Sequence, residues 1–425
     1  MSQIRSSEFS SRLVIATLVS FVVTATSHSN AEDWSQWRGP GRTGIVQQQK
    51  WPNSLDEATL KAGWRVPLDS SYSGPIVNAD RVFVTETRDK QYEVVRALDR
   101  ETGKEIWATE WKGSITVPFF AAANGSWIRS TPTLDKGELF VAGIRDVLVC
   151  LDADSGEIKW RVDFAQRLKT ALPSFGCVCS PLVDGNHIYV QAGGGFTKLN
   201  RATGDIVWRT LDDGGGMSGS VFSSPVVGEL AGTRQAIVQT RKKLAGVDLE
   251  SGNELWSVDI EAFRGMNILT PTIIGDRVFT SSYGGGSFLF EISKTDGGSF
   301  QVKQLWRNKV QGYMSSPVVI DGHIYLHLRN QRFACINVES GKEAWITQPF
   351  GKYWSLISNG DDILALDERG ELLLIRANPE AFELVERRKI SEQPTWAHIG
   401  LSDNDIFIRE LDALVVLEWR DVKTN

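Results

Sequence analysis

The chain has 425 residues, with 46 Lys or Arg against 52 Asp or Glu and a formal net charge of −6. That balance excludes the basic face a nucleic-acid binder needs. No low-complexity segment, charge block or second long apolar stretch interrupts the chain after its N-terminus, so a single large domain is expected.

In chain order the first element is a secretory signal over residues 1–31. Arg5 and Arg12 precede the apolar run from Leu13 to Ala25, and Ser29-Asn30-Ala31 supplies a small-x-small cleavage site. The run is short for a membrane span, although an uncleaved anchor is the alternative. No Cys follows it to carry a lipid. The expectation is an exported protein of the periplasm or envelope of a Gram-negative-type bacterium, without an integral membrane span. Residues 32–60 read as an N-terminal extension, and residues 61–425 as a repeat domain.

The first strand of that domain is Gly63-Trp64-Arg65-Val66-Pro67, which has no unit before it. Five copies of one phrase follow. They are Ala97/Asp99/Thr102/Gly103/Trp107, Cys150/Asp152/Ser155/Gly156/Trp160, Lys198/Asn200/Thr203/Gly204/Trp208, Gly246/Asp248/Ser251/Gly252/Trp256 and Cys335/Asn337/Ser340/Gly341/Trp345. Asp or Asn bonds its own backbone two residues on, and Gly supplies a positive φ, so each phrase is a turn joining two strands. Trp64, Trp107, Trp160, Trp208, Trp256, Trp306 and Trp345 recur in register and are expected to dock one unit against the next.

A second column of Ser/Thr-Pro or Gly-Pro pairs opens six units at Pro75, Pro132, Pro181, Pro225, Pro271 and Pro317. Weaker copies stand at Ser358 and Gly400, giving eight units of roughly 40 to 57 residues each. The last unit lacks a Trp strand, and the orphan strand around Trp64 can supply it. The expected fold is therefore all-β: an eight-bladed propeller of four-stranded antiparallel blades, closed by the N-terminal strand on the last blade.

Site residues are sought at the mouth of the central channel. The column four residues before each Pro position reads Ser71, Ile128, Cys177, Val221, Asn267, Tyr313, Trp354 and Trp396, and the column two before it ends in His398. Both are expected on the channel side of the innermost strands. Tyr313, Trp354 and Trp396, with Trp127, Arg129, Phe175 and His398, form the candidate binding rim; plugging of the funnel is the alternative role for these aromatics. No catalytic or metal constellation is found: there is no nucleophile elbow and no phosphate loop. Cys177 and Cys179 lie two apart on one face, where a mutual disulfide would be strained, and are expected to be free or structural thiols. Cys150 and Cys335 occupy equivalent slots and read as small buried residues.

The repeated Asp/Asn-x-x-Thr/Ser-Gly-x-x-x-Trp phrase resembles the tryptophan-docking repeat of the quinoprotein (PQQ-dependent dehydrogenase) propellers and of the BamB propeller of the outer-membrane β-barrel assembly machine. Asp33-Trp34-Ser35-Gln36-Trp37-Arg38-Gly39-Pro40 is similar to the opening of exported PQQ-like propellers of planctomycete bacteria. The enzymatic branch would imply PQQ between a Trp floor and an adjacent Cys-Cys disulfide, with Ca²⁺ on acidic and amide ligands and an Asp base. Here Cys177-Val178-Cys179 is the nearest match, and neither column holds an acid. The expectation is thus a non-catalytic, single-chain scaffold without cofactor, binding a protein or extracellular ligand as the BamB branch does. A PQQ-dependent dehydrogenase with a divergent site is the alternative.

Overall fold

The computed structural model describes Met1 and residues 33–420, apart from 48, 49 and 220. The secretory signal expected over residues 1–31 lies, Met1 apart, outside the described residues. Within the described residues 33–420, eight sheets of four strands each are formed, one of them extended by a fifth. Blade 1 comprises Ile76–Val77, Arg81–Arg88, Tyr92–Asp99 and Glu105–Lys112, and blades 2 to 7 repeat this meander from Thr133–Asp135 through Glu383–Lys389. Each strand pairs antiparallel with its neighbour in sequence, as hairpin connections require.

Blade 8 closes the ring. Gly400–Ser402, Asp405–Arg409 and Ala413–Trp419 make three strands, and Leu60–Pro67 adds the fourth, with Leu60 opposite Trp419 and Pro67 opposite Ala413. The closure expected for Trp64 is therefore realised. It leaves no inter-blade gap at which an unpaired strand edge would be exposed.

The turn phrase explains how adjacent blades hold together. Asp99 Oδ1 accepts from the N–H and hydroxyl of Thr102, which fixes the turn. Gly103 then adopts φ +69°, and a Cβ there would lie 2.6 Å from the Trp64 ring. The same fit recurs for Gly156 on Trp107, Gly204 on Trp160, Gly252 on Trp208 and Gly341 on Trp306. Each ring comes from the preceding blade, and its indole N–H donates to a carbonyl of the next: Trp64 to Arg100, Trp107 to Ala153, Trp160 to Arg201, Trp208 to Glu250 and Trp306 to Val338. Trp345 donates in the same way to Asn378.

Trp256 departs from this docking pattern. Its indole N–H donates to Gln235 Oε1 within its own blade, at 2.7 Å. The reason is local, since the outer hairpins of blades 5 and 7 both lack the Asp-x-x-Ser-Gly phrase and Trp345 still docks on the latter. Gly246 leaves room for the ring, since a Cβ there would stand 2.2 Å from Trp256 Nε1.

Candidate functional site

The innermost strands put their side chains alternately toward the axis and into the contacts between blades. The channel-facing positions are one residue away from those expected. Tyr72, Arg129, Val178, Phe222, Ile268 and Met314 line the channel, followed two residues on by Thr131, Ser180, Ser224, Thr270 and Ser316. Ser71, Ile128, Cys177, Val221 and Asn267 are buried between blades instead. A slip of one residue exchanges the two faces of a strand. Blades 7 and 8 also shift. Asn359 pairs with Asp362 and Ser402 with Asp405, as Asp135 pairs with Glu138, so the positions equivalent to Pro132 are Leu356 and Ile399.

This register corrects the placement of Trp354. It is 2% exposed and stacks on His327 (ring centroids 4.9 Å apart), against Phe333 and Phe350 in the core of blades 6 and 7. Its neighbour Tyr353 takes the channel-side place, in edge contact with Trp396 at 4.4 Å. Of the remaining candidates, Trp127, Arg129, Phe175, Tyr313 and Trp396 meet at one mouth, whereas His398 lies deeper, enclosed against Trp37 of the N-terminal segment. Trp396 stacks on Tyr72 at 4.6 Å, and Tyr72 meets the edge of Trp127 at 5.6 Å. Arg129 lies over the Tyr72 ring, and Phe175 sits between Phe120 and Phe222. Tyr313 continues the arc from Tyr353 to Tyr283.

Below this arc the inward hydroxyls stitch blade to blade. Thr131 Oγ1 accepts from Gly74 N, Ser180 Oγ from Thr131 N, Ser224 Oγ from Ser180 N and Thr270 Oγ1 from Ser224 N, at 2.9–3.1 Å. The turn is continued in blades 7 and 8 by Ser355, whose Oγ accepts from Ile399 N and meets His398 Nδ1 at 3.1 Å. Small hydroxylated residues near the axis are thus inter-blade fasteners.

The opposite mouth is closed by the segment opening with Asp33. Trp34 bridges to Val77 in blade 1, and Ser35 O accepts from Leu134 N in blade 2. Arg42 donates to the carbonyls of Ser180 and Pro181 in blade 3, and Arg38 to that of Pro317 in blade 6. Ile45–Val46 pairs parallel with Ser358 and Asn359 of blade 7. Trp37, flanked by both guanidinium groups, meets His398 of blade 8 edge-on at 5.1 Å. Plugging therefore falls to the N-terminal extension, and it touches six blades. Burial pulls Arg38 down to about 9 and Arg42 down to about 10, so both stay protonated at neutral pH. Enclosure, with Arg38 nearby, holds His398 neutral, down to about 3.

The open mouth carries the long connections between blades. Short 3₁₀ turns at Phe119–Asn124, Gly216–Ser218 and Phe263–Gly265 present Phe119 (91% exposed), Phe120 (60%), Met217 (54%) and Phe263 (48%) to solvent. These four were missed in the sequence because no period marks a connecting loop; Phe119-Phe120 after Pro118 was the available signal. Two buried acids secure this end. Glu93 accepts from Trp111 Nε1 and from Ile144 N of blade 2, and Asp146 accepts from Gly193 N of blade 3. Burial raises both to about 7.

Cys150, Cys177, Cys179 and Cys335 are all free and buried. Burial lifts Cys179 to about 11 and Cys177 well above the ordinary thiol value, so neither is a ready nucleophile. Among the described residues no group of three His, Cys, Asp or Glu could hold a metal ion. Among the described residues the channel lining offers hydroxyls, the Asn124 amide, His398 and Arg129, with no carboxylate.

Comparison with known proteins agrees with this architecture. The family profile described as outer membrane protein assembly factor BamB matches residues 91–347. The chain is 24% identical over 335 residues to the BamB of Moranella endobia, covering 75% of this chain and 77% of that protein. Among solved structures, BamB from Moraxella catarrhalis has a TM-score of 0.62 at 14% identity, covering 86% of this chain and 99% of that one. A quinohemoprotein alcohol dehydrogenase from Comamonas testosteroni has a TM-score of 0.61 at 12% identity, covering 91% and 80%. At these identities the two structures speak for the fold alone.

Proposed function

We propose that this chain, which belongs to the family of outer membrane protein assembly factor BamB, is an exported, non-catalytic scaffold that docks a partner protein on the open mouth of its channel. The observation that carries this reading is the asymmetry of exposed apolar surface. Phe119, Phe120, Met217 and Phe263 stand out on three connections of one mouth, while the other is sealed by the chain's own N-terminal segment. Large aromatics beside arginine are the anchors protein interfaces favour.

Quinone chemistry, which the fold family implies, does not fit this lining. A Ca²⁺ ion takes six to eight oxygen ligands, commonly including carboxylates, and the channel supplies none of the latter. Tyr72 and Trp396, from the adjacent blades 1 and 8, stack on each other and leave no gap between their rings for a planar cofactor. No reaction step is therefore assigned to PQQ.

Site-specific photocrosslinking in envelope preparations tests the reading. A benzophenone amino acid at Phe120 is expected to capture a discrete protein, and the same probe at Ile106, exposed on an outer strand, is not. Equal labelling from both positions would refute docking at this mouth. Reconstitution with PQQ and Ca²⁺ followed by dye reduction on alcohols addresses the enzymatic alternative, and no turnover is expected.

A further inference from the structure

Beside the channel, between blades 5, 6 and 7, the open mouth contains a cavity of about 330 Å³. Its walls include Tyr283, Tyr313 and Tyr353, its floor His327, and its edge Arg329 and Lys352. Arg329 is held in place: its guanidinium lies 3.9 Å from the centroid of the Tyr283 ring, and its Nη2 donates to that residue's hydroxyl at 2.9 Å. Neither Arg329 nor Lys352 forms an ion pair among the described residues. A neighbouring acid, Glu368, accepts from the Lys352 backbone N–H. His327 is neutral, with Nε2 against the Gly351 carbonyl at 2.9 Å, so it adds no charge.

A cation fixed by stacking loses little freedom when it takes an anion, and a second cation lining the same cavity adds to the attraction. The aromatic walls suit the aliphatic or aromatic body that carries the charge. The volume holds one large side chain and its carboxylate, not a folded surface. Exposed Phe263 packs on Tyr283 at 5.0 Å, which joins the cavity to the apolar rim. That continuity favours a peptide over a free small molecule or a saccharide.

We propose that this cavity receives an Asp or Glu side chain from an extended, aromatic-flanked segment of the docking partner, with Arg329 and Lys352 taking the carboxylate. This rests on the docking reading above, but its test does not need the partner. The probes are the capped tripeptides acetyl-Phe-Glu-Phe-amide and acetyl-Phe-Gln-Phe-amide, together with a galacturonate trisaccharide. Each is titrated into the exported chain by NMR or calorimetry at low and high salt. The Glu peptide is expected to bind roughly ten-fold tighter than the Gln peptide, with the gap shrinking as salt rises.

In an Arg329→Gln/Lys352→Gln variant the gap is expected to vanish. In a Phe119→Ser/Phe120→Ser variant it is expected to persist. Equal binding of the two peptides to wild type, or a gap that survives loss of both cations, overturns the proposal. Tighter binding of the galacturonate than of either peptide overturns it in favour of an acidic saccharide. If the Glu-over-Gln gap holds while the Phe120 crosslink fails, the docking reading fails and the carboxylate site stands. If the crosslink holds and the gap is absent, the reverse is true.

Discussion

The two ends of the channel are built from the same eight strands and meet opposite fates. At one end, residues 34–42 cross the opening: Arg38 and Arg42 donate to blade carbonyls, the Trp34 carbonyl accepts from Val77 N, and Trp37 packs on His398. At the other, an arc of aromatic rings surrounds an opening whose loops leave Phe119 and Phe120 in water. The strand ends at the plugged side carry tight Asp/Asn-x-x-Thr/Ser-Gly turns that leave no residues spare. The open side carries the blade-to-blade connections, which are long enough to hold surface of their own. Stability and recognition are thus assigned to different ends of one ring, as loops on a rigid scaffold allow.

The largest test of this division is Trp34→Ala. The ring is 2% exposed, and removing a buried Trp costs about 3–5 kcal/mol. A matching drop in the denaturant midpoint is expected, whereas unchanged unfolding would remove the plug from the stability account. Glu93 probes the rim next. Its folded value near 7 lies above the ordinary 4.5, so stability is greatest below the latter and falls as pH rises through 7. The fall amounts to about 3 kcal/mol at most. Glu93→Gln should flatten that decline between pH 5 and 8 in urea titrations, and a parent slope retained in the variant would contradict it.

His398 beside the plug should respond with the opposite sign. Its value is lowered from 6.5 to about 3, so its contribution is intact above 6.5 and is lost as pH falls toward 3. The loss is on the order of 2 kcal/mol after allowance for its partial exposure. A His398→Gln variant whose acid limb matches wild type would show that Trp37 does not need a neutral ring there. The smallest effect belongs to Phe119→Ser/Phe120→Ser: within about 0.5 kcal/mol on unfolding, but with loss of the Phe120-region crosslink when the probe is moved to Met217. A destabilisation as large as that of Trp34→Ala would make the exposed phenylalanines structural.

Much of the ring was legible before any coordinates. The turn phrase carries its own chemistry, so Asp99, Thr102 and Gly103 announce a turn locally, and the missing Trp strand of the last unit points to Trp64. Trp256 shows the limit of that reasoning. Its own phrase is intact, and the space over Gly246 together with the Gln235 amide lets the ring turn back into its own blade. The channel lining was misplaced by one residue for a similar reason. Alternation of period two tells which residues share a face but not which face meets the axis. Trp354 and Tyr353 are adjacent, and a phase difference of one puts Tyr353 at the rim and Trp354 in the core.

By itself, the order of residues determined the number of blades, the antiparallel meander, the docking glycines and the ring closure. All of these follow from short-range turn geometry repeated at a regular interval. The tertiary structure decided the phase of the inner strands, the use of residues 33–46 as a stopper and the gathering of Tyr283, Arg329 and Tyr353 around one cavity. Those depend on contacts between segments hundreds of residues apart, such as Arg38 with Pro317. No local period encodes such contacts.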